Sequence, residues 1–540
     1  MKKPEKINNK VPILTADEAV ALIPNEAVIY LDGSGNGERE PASLYHALAK
    51  RHKETGSPNG LTLIHPNGVG DRTAGSDVGF GVLALPTMIK RLLSGHLGQS
   101  PKLADLVDHN EVEAYNFSMG TLSQMMRAAA AKQPGVFTKV GKGTFMDPRQ
   151  TGGKLNERTK EDLVKVVDVE GEEYLFYRTV SPTVALLRGT TSDMNGYITV
   201  EEEVGPAFLD DIAVAQAVHN NGGLVVVQVR RLVKEGTLNP KHVRIPGILV
   251  DAVVVDPYQS QSYALKGQPI DNFAAGDLKK PEDGVPPHPL TERKVIVRRS
   301  LMEAKPGDIG NIGVGVQTAI SGVANEEGIQ KDFTLTVETG VIGGASGPSK
   351  GKSNGGEYYN VRAVIPMADS FNFYEGGGLD VAYLSFAQVD NEGNVNVHWF
   401  NHKIMGTGGF IHISANAKKV VFGGTMTSGG FKSKVGGGKI EILQEGRFKK
   451  FVGKVDQITF SAKEANRVNK PVFYVTERCV FRLTPEGLEL IEIAPGIDLE
   501  KDILPVMDFK PIISKNLNMM DERFFHDRPM GIKEEWRAKK

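Results

Sequence analysis

The 540-residue chain balances 64 basic against 65 acidic side chains, for a formal net charge of −1, which leaves no electrostatic footprint for nucleic acid or an anionic membrane. One cysteine, Cys479, excludes a disulfide framework or an all-cysteine zinc site and suits a reducing compartment. No run approaches the roughly 20 apolar residues of a membrane span, and Asp17 and Glu18 interrupt the apolar residues behind the basic N-terminus, so the chain reads as a soluble, cytoplasmic protein of two or more domains.

Strand-length apolar runs alternate with helical patterns, the signature of an α/β protein. AVIYLDGSGNG (27–37) is a strand breaking into glycines, and PASLYHALAKRH (41–52) is an amphipathic helix behind a proline. LTLIHPNG (61–68) is the next strand. FLDDIAVAQAVHNNGGLVVVQV (208–229) reads as a capped helix, a glycine stop and a buried β-branched strand. Residues 256–293, rich in Pro, Asp, Gly and Lys without periodicity, read as the connection between two halves. The expected organisation is an N-terminal α/β domain over 1–275, a connecting segment near 276–295 and a C-terminal α/β domain over 296–540.

The halves share a grammar. LTLIHPNG (61–68) pairs with FTLTVETG (333–340), EAYNFSMGTLS (113–123) with DSFNFYEGGGLD (369–380), and SDMNGYITV (192–200) with VDNEGNVNV (389–397), the last two reading as hairpins turned at a glycine. The repeat predicts two related α/β domains with a site at the strand ends between them. Glu338 stands where the first half has Pro66, so the halves are alike in frame and unlike in chemistry.

Familiar motifs fail in detail. In DGSGNGERE (32–40) the third dinucleotide glycine is replaced by Glu38, and the next strand ends in His65-Pro66 instead of a ribose-binding acid. GPSKGKS (347–353) ends like a phosphate loop, but its first glycine position holds Ser346 and no helix pattern follows. G-A-S-G-P around Ser346 is no serine-hydrolase elbow. No H-E-x-x-H occurs, and His398 and His402 read as surface or site-lining residues on a strand exit; no metal site is assigned. The glycine-rich turns in GDIGNIGVGVQTAI (307–320) and GTGGFIHISANAKKVVFGGTMTSGG (406–430), read as leading into a helix and a strand respectively, let bare N–H groups crowd onto an oxyanion or phosphate. With them stands one exposed-edge carboxylate, Glu338, walled by glycines that cannot shield it from an electrophile such as a thioester.

These segments identify a resemblance. GVGDRTAGSDVGF, GHLGQSPKLADLV, EAYNFSMGTLSQMMRA and GVFTKVGKGTFMDPRQTGGKLN in the first half, and NIGVG, TVETGVIGG, FNFYEGGGLDVAYLSFAQVDNEGNVNV and GTGGFIHISANAKKVVFGGT in the second, are similar to the family I coenzyme A transferases, acetate and propionate branch, over essentially the whole length. The resemblance implies a ping-pong CoA-transferase for short-chain acyl-CoA and free carboxylates, with Glu338 as the nucleophile that forms a glutamyl-CoA thioester. It implies a CoA pocket at Asn311, Gly313, Gly315 and Gly408, and oxyanion-stabilising backbone N–H groups at Gly408 and Gly409, ahead of Phe410. Asn36, Met119 and Thr339 are placed at the acyl group. No cofactor beyond CoA as substrate, no nucleic acid, no membrane and a homodimer or homotetramer are expected. The rivals are an acyl-CoA hydrolase using the same glutamate and an idle CoA-binding protein. Met119, Gln317 and Thr339 depart from the branch's usual residues and bear on acyl specificity.

Overall fold

The computed structural model describes residues 3–205, 209–265, 270–281, 287–346, 358–400 and 403–538. The phosphate-loop-like segment 347–353 and His402 lie outside the described residues.

Two sheets carry the architecture. The first contains β1 (Ile13–Leu14), β2 (Val28–Leu31), β3 (Leu61–His65), β4 (Ile89–Ser94), β5 (Glu113–Asn116), β6 (Val184–Arg188), β7 (Leu224–Val229) and β8 (Ala252–Val255), in the order β1-β8-β7-β6-β2-β3-β4-β5. Every pairing in it is parallel. Parallel strands are covered on both faces, so their sequences read as unbroken apolar runs; each residue of β6 and β7 is buried.

The second sheet contains β9 (Ile309–Ile312), β10 (Thr334–Val337), β11 (Val341–Ile342), β12 (Ala363–Val364), β13 (Val381–Ser385), β14 (Val420–Gly423), β15 (Val472–Val475), β16 (Cys479–Thr484), β17 (Gly487–Ile493) and β18 (Ile512–Met519). Its order is β12-β11-β10-β9-β13-β14-β15-β16-β17-β18. The parallel centre β10-β9-β13-β14-β15 repeats β3-β2-β6-β7-β8 strand for strand. In each sheet the order reverses beside the first strand of that repeat, at β2 and β6 and again at β9 and β13, which is where open α/β sheets bind ligands.

The helices follow their signals with two exceptions. Helix α1 (Ala42–Thr55) starts behind Pro41 and stops at Gly56, in the left-handed conformation at φ +69°. Helix α2 (Met119–Ala130) precedes β6, and α3 (Asp211–Asn220) precedes β7. Asp210 occupies the N-cap of α3, yet its side chain makes no capping bond; it is drawn into a buried charge cluster instead. Helix α4 (Phe410–Asn416) follows the GTGG turn, where a strand is expected; the strand, β14, comes only after it. Residues 410–414 are all buried, so the segment shows no polar face from which a helical period could be read.

The repeat is also corrected at one point. LTLIHPNG and FTLTVETG fall on the equivalent strands β3 and β10, and the third pair forms matching hairpins, Thr191–Asp193 with Ile198–Thr199 and Gln388–Val389 with Val395–Asn396. In the middle pair, however, EAYN is strand β5, whereas SFNFYE belongs to a helix, Met367–Glu375. A short aromatic-polar run has no period of its own and takes the structure its neighbours impose. That helix packs on α2, and one hydrophobic cluster runs from Tyr30 and Met119 in the first half to Phe371 and Phe410 in the second.

Candidate active site

Glu338 owes its position to a tight turn. Antiparallel pairing brings Val337 opposite Val341, so Glu338, Thr339 and Gly340 form a three-residue connection at the C-terminal end of β10. Gly340 closes it with φ +101°, and a Cβ there would lie 1.9 Å from the Ile365 carbonyl; no other residue type fits. Its N–H donates to Val337 (3.0 Å), and its carbonyl accepts from Ile365 (2.9 Å). The turn is thus held by backbone alone, and the glutamate side chain is left free to project.

It projects into a cavity of about 350 Å³ between the halves. The first half contributes Asn36 and Met119, and the second contributes Gly313, Thr339, Gly408 and Gly409. Asn311 lies just beneath: its amide donates to the Thr336 carbonyl (3.3 Å) and the Tyr374 hydroxyl (3.2 Å). Burial pushes the Glu338 carboxyl above its ordinary range, while its own backbone N–H and the Asn311 amide favour the charged form. The balance is a partly desolvated, reactive carboxylate. Gly315 is not at the cavity wall; it has φ +104°, and a Cβ there would meet Ser385 Oγ at 2.6 Å.

The turn opposite Glu338 belongs to the second half by sequence and hangs from the first by hydrogen bonds. The Met405 carbonyl accepts from Leu97 (2.9 Å) and Gly98 (3.0 Å), and Gly408 N–H donates to the Gly95 carbonyl (2.9 Å). Thr407 N–H donates to Asn116 Oδ1 (3.0 Å). The Gly408 N–H is therefore committed within the protein, whereas Gly409 N–H has no partner among the described residues. A Cβ on Gly409 would stand 2.9 Å from Glu338 Cγ, so this backbone is in contact with the acid. Gly409 has φ −83°, a conformation any residue adopts. Gly409→Ala is therefore expected to keep the backbone conformation, with Ile413 (3.1 Å) and Phe371 (3.2 Å) giving slightly, yet push Glu338 aside, with kcat falling about 10²-fold, the cost of displacing a reacting group by an ångström. Comparing kcat and the thermal unfolding midpoint checks this; an unchanged kcat sinks it.

Sequence reasoning missed several cavity residues. Asn67 follows β3 as Thr339 follows β10, a correspondence already present in the HPNG/VETG pairing; it is buried, and neither atom of its amide has a partner among the described residues. His96 is kept neutral, pushed down to about 3 by burial, Arg72 and His65. Glu38 is pushed up to about 7 by burial, although the Asn36 N–H (2.8 Å) and the Ser262 hydroxyl (3.2 Å) donate to it. Tyr358, on the same wall, has its phenol raised by burial and by the charges of Glu338 and Glu38, so it stays protonated. His398 is corrected: it is neither a surface nor a site residue but fully buried, stacked on Phe145 at 3.8 Å and bonded to Thr459 and Gln457 at 2.7 Å each. Cys479 is likewise a core residue, its thiol pushed up to about 12 by burial. Among the described residues no helix is long and apolar enough to cross a membrane.

A protein-family model for the coenzyme A transferases matches residues 13–256. Over 530 residues the chain is 52% identical to the acetate CoA-transferase YdiF of Escherichia coli K12, covering 98% of each chain. It is 42% identical over 526 residues to the caffeate CoA-transferase of Acetobacterium woodii, covering 96% of this chain and 98% of that one. The crystal structure of the acyl-CoA transferase YdiF from E. coli O157:H7, a thioester complex with CoA, superposes with a TM-score of 0.93 over 98% of this chain and 99% of that one, at 52% identity. Likeness of this extent, over both sheets and the cavity between them, places the chain in the coenzyme A transferase family, as a family I CoA-transferase.

Proposed function

We propose that the enzyme exchanges CoA between short-chain acyl-CoA, such as acetyl-, propionyl- or butyryl-CoA, and a free carboxylate, in a ping-pong cycle through a covalent glutamyl-CoA thioester on Glu338. The observation that carries this reading is the contact between Glu338 and the Gly409 backbone across a cavity that both halves line. It is supported by the acetate CoA-transferase name of the E. coli relative and by the thioester complex of the similar solved structure.

The Glu338 carboxylate attacks the acyl carbonyl of the thioester, giving an acyl-glutamyl anhydride and CoA thiolate. The thiolate attacks the glutamyl carbonyl, the first carboxylate leaves, and a glutamyl-CoA thioester remains. A second carboxylate then runs the two steps in reverse. Each tetrahedral intermediate bears an oxyanion on the carbonyl under attack, and the Gly409 N–H is the donor assigned to it, worth about 10²–10³ in rate. Asn311 holds the carboxyl from below. Gly313 and Gly315 shape the CoA passage, and Asn36, Met119 and Thr339 border the acyl group. Because thioester is exchanged for thioester, the remote contacts of CoA supply binding energy for desolvating the glutamate. We assign the two domains to 1–275 and 296–540 and read the protein as a cytoplasmic homo-oligomer.

Intact-protein mass spectrometry after incubation with acetyl-CoA and no acceptor tests the reading. A CoA adduct on the Glu338 peptide, discharged by acetate or propionate, is expected. Free CoA accumulating without an adduct would identify a hydrolase. The pH profile gives a second check. Only ionised Glu338 attacks, and the Asn311 amide favours that form. Asn311→Ala is therefore expected to move the acid limb of kcat/KM to higher pH; an unmoved limb would remove Asn311 from this role.

A further inference from the structure

One chain of polar groups, buried apart from the half-exposed Glu375, crosses between the halves and ends on the peptide that faces Glu338. Thr138 Oγ1 of the first half donates to Glu375 Oε1. Glu375 Oε2 lies 3.5 Å from His412 Nε2 in the second half. His412 Nδ1 is 2.8 Å from Ser118 Oγ, back in the first half. Ser118 Oγ donates in turn to the Gly408 carbonyl at 3.3 Å, beside the Met119 N–H at 3.0 Å. Ser118 and His412 are both fully buried. Ser118 sits at the N-cap of α2, where a serine hydroxyl ordinarily accepts from a backbone N–H one turn on, yet its side chain makes no capping bond. It has been diverted to the other half. Gly120 makes room for the ring: a Cβ there would be 2.7 Å from His412 Cδ2 and Nε2.

The Gly408 carbonyl and the Gly409 N–H belong to one peptide unit. A trans peptide is planar with its C=O and N–H antiparallel, so fixing the carbonyl fixes the direction of the N–H. Hydrogen bonds accepted by the carbonyl also polarise the unit and strengthen its N–H as a donor. We propose that the Glu375–His412–Ser118 chain is a positioning relay that orients and polarises the Gly408–Gly409 peptide toward the oxyanion formed at Glu338. With a proton on each ring nitrogen, His412 pairs with the Glu375 carboxylate through Nε2 and donates to Ser118 through Nδ1, and Ser118 donates on to the Gly408 carbonyl. The three residues touch no reacting atom and act through Gly409; the inference rests on Glu338 as the acyl acceptor.

The position of the donor is what the relay predicts, and amide substitutions separate it from packing. An Asn amide at 412 reaches the place of Nδ1, whereas a Gln amide reaches that of Nε2. Ser118→Ala and His412→Gln are expected to lower kcat and the single-turnover rate of Glu338–CoA adduct formation about ten- to hundredfold, part of the value of one oxyanion donor. KM for acetyl-CoA should stay within about twofold, because the ground-state thioester carries no oxyanion. His412→Asn is expected to stay within about threefold of the wild type. Equal impairment of the Asn and Gln variants, or Ser118→Ala forming adduct as fast as the wild type, overturns the relay while leaving the nucleophile in place. Absence of any Glu338 adduct in the wild type overturns both. Should a His412 variant unfold, Ser118→Ala, which removes a single oxygen, decides the question alone.

Discussion

Glu338→Ala is expected to reduce acyl-CoA:acetate CoA exchange by at least about 10³-fold while the protein stays folded, since removing a covalent nucleophile removes the path that the other groups serve. The fold should not notice. The turn that carries Glu338 is closed by the Gly340 and Ile365 backbone bonds, and no salt bridge among the described residues uses the carboxyl. Glu338→Gln should be as inactive, because an amide oxygen does not replace a carboxylate as a leaving and attacking group. Glu338→Asp is the informative variant. It keeps the charge and withdraws it by one methylene from the Gly409 backbone that a Cβ would meet at 2.9 Å, so about 10²-fold loss in kcat is expected. A Glu338→Ala enzyme that keeps a tenth of wild-type exchange, with no adduct on any other residue, would mean that the carboxylate only lines the cavity.

How far the sequence reaches follows from what it takes to build each part. The parallel strands were legible because burial on both faces leaves an unbroken apolar run, as in LVVVQV at 224–229, and Glu338 was legible because it interrupts such a pattern with a lone acid before glycines. The equivalence of β3 and β10 was legible for the same reason. What failed was local. The GTGG turn leads first into a helix buried all round, so no polar face marks it, and the aromatic-polar stretches around Asn116 and Asn372 look alike yet fold as strand and helix. What was invisible depended on chain segments hundreds of residues apart. Nothing in EAYNFSMG announces that the Ser118 hydroxyl is spent on Gly408, nor does GTGG reveal that Gly408 N–H is already engaged by Gly95 and that only Gly409 is left to face the acid. Backbone hydrogen-bond accounting across an interface is fixed by tertiary structure alone.

Arg39 marks the place where stability itself hangs on charge. It is fully buried beneath the 33–38 turn, with Nη2 2.6 Å from Asp211 and 3.3 Å from Asp32. Asp32 also holds the turn's root, accepting from Gly33 N–H (2.9 Å) and Arg188 N–H (3.0 Å). Burial raises the carboxyls of Asp32 and Asp211 despite the guanidinium, and pushes neighbouring Asp210 up to about 6. Arg39→Met would keep the volume and leave Asp32 and Asp211 without their shared cation, a change that costs about 3–5 kcal/mol when a buried pair is broken from one side. The sign of its pH dependence follows from linkage. The unfolded chain releases these protons near pH 4, whereas the folded cluster holds them to higher pH, so folding takes up protons and stability falls as pH rises through that window. Losing Arg39 raises the folded-state values further and extends the window upward. The deficit of Arg39→Met is thus expected to be smaller at pH 5.5, where the acids can be neutral, and larger at pH 8.5, where they must ionise in the interior or stay protonated against the solvent. Urea or thermal unfolding midpoints at both pH values measure it. A deficit independent of pH would assign the loss to packing; no deficit at either pH would mean that the acids are hydrated and the cluster is not the buried charge centre described. Because the turn above Arg39 supplies Asn36 to the cavity wall, the same variant should weaken acyl-CoA turnover at pH 8.5 more than at pH 6, tying the stability of the first half to the chemistry at the second.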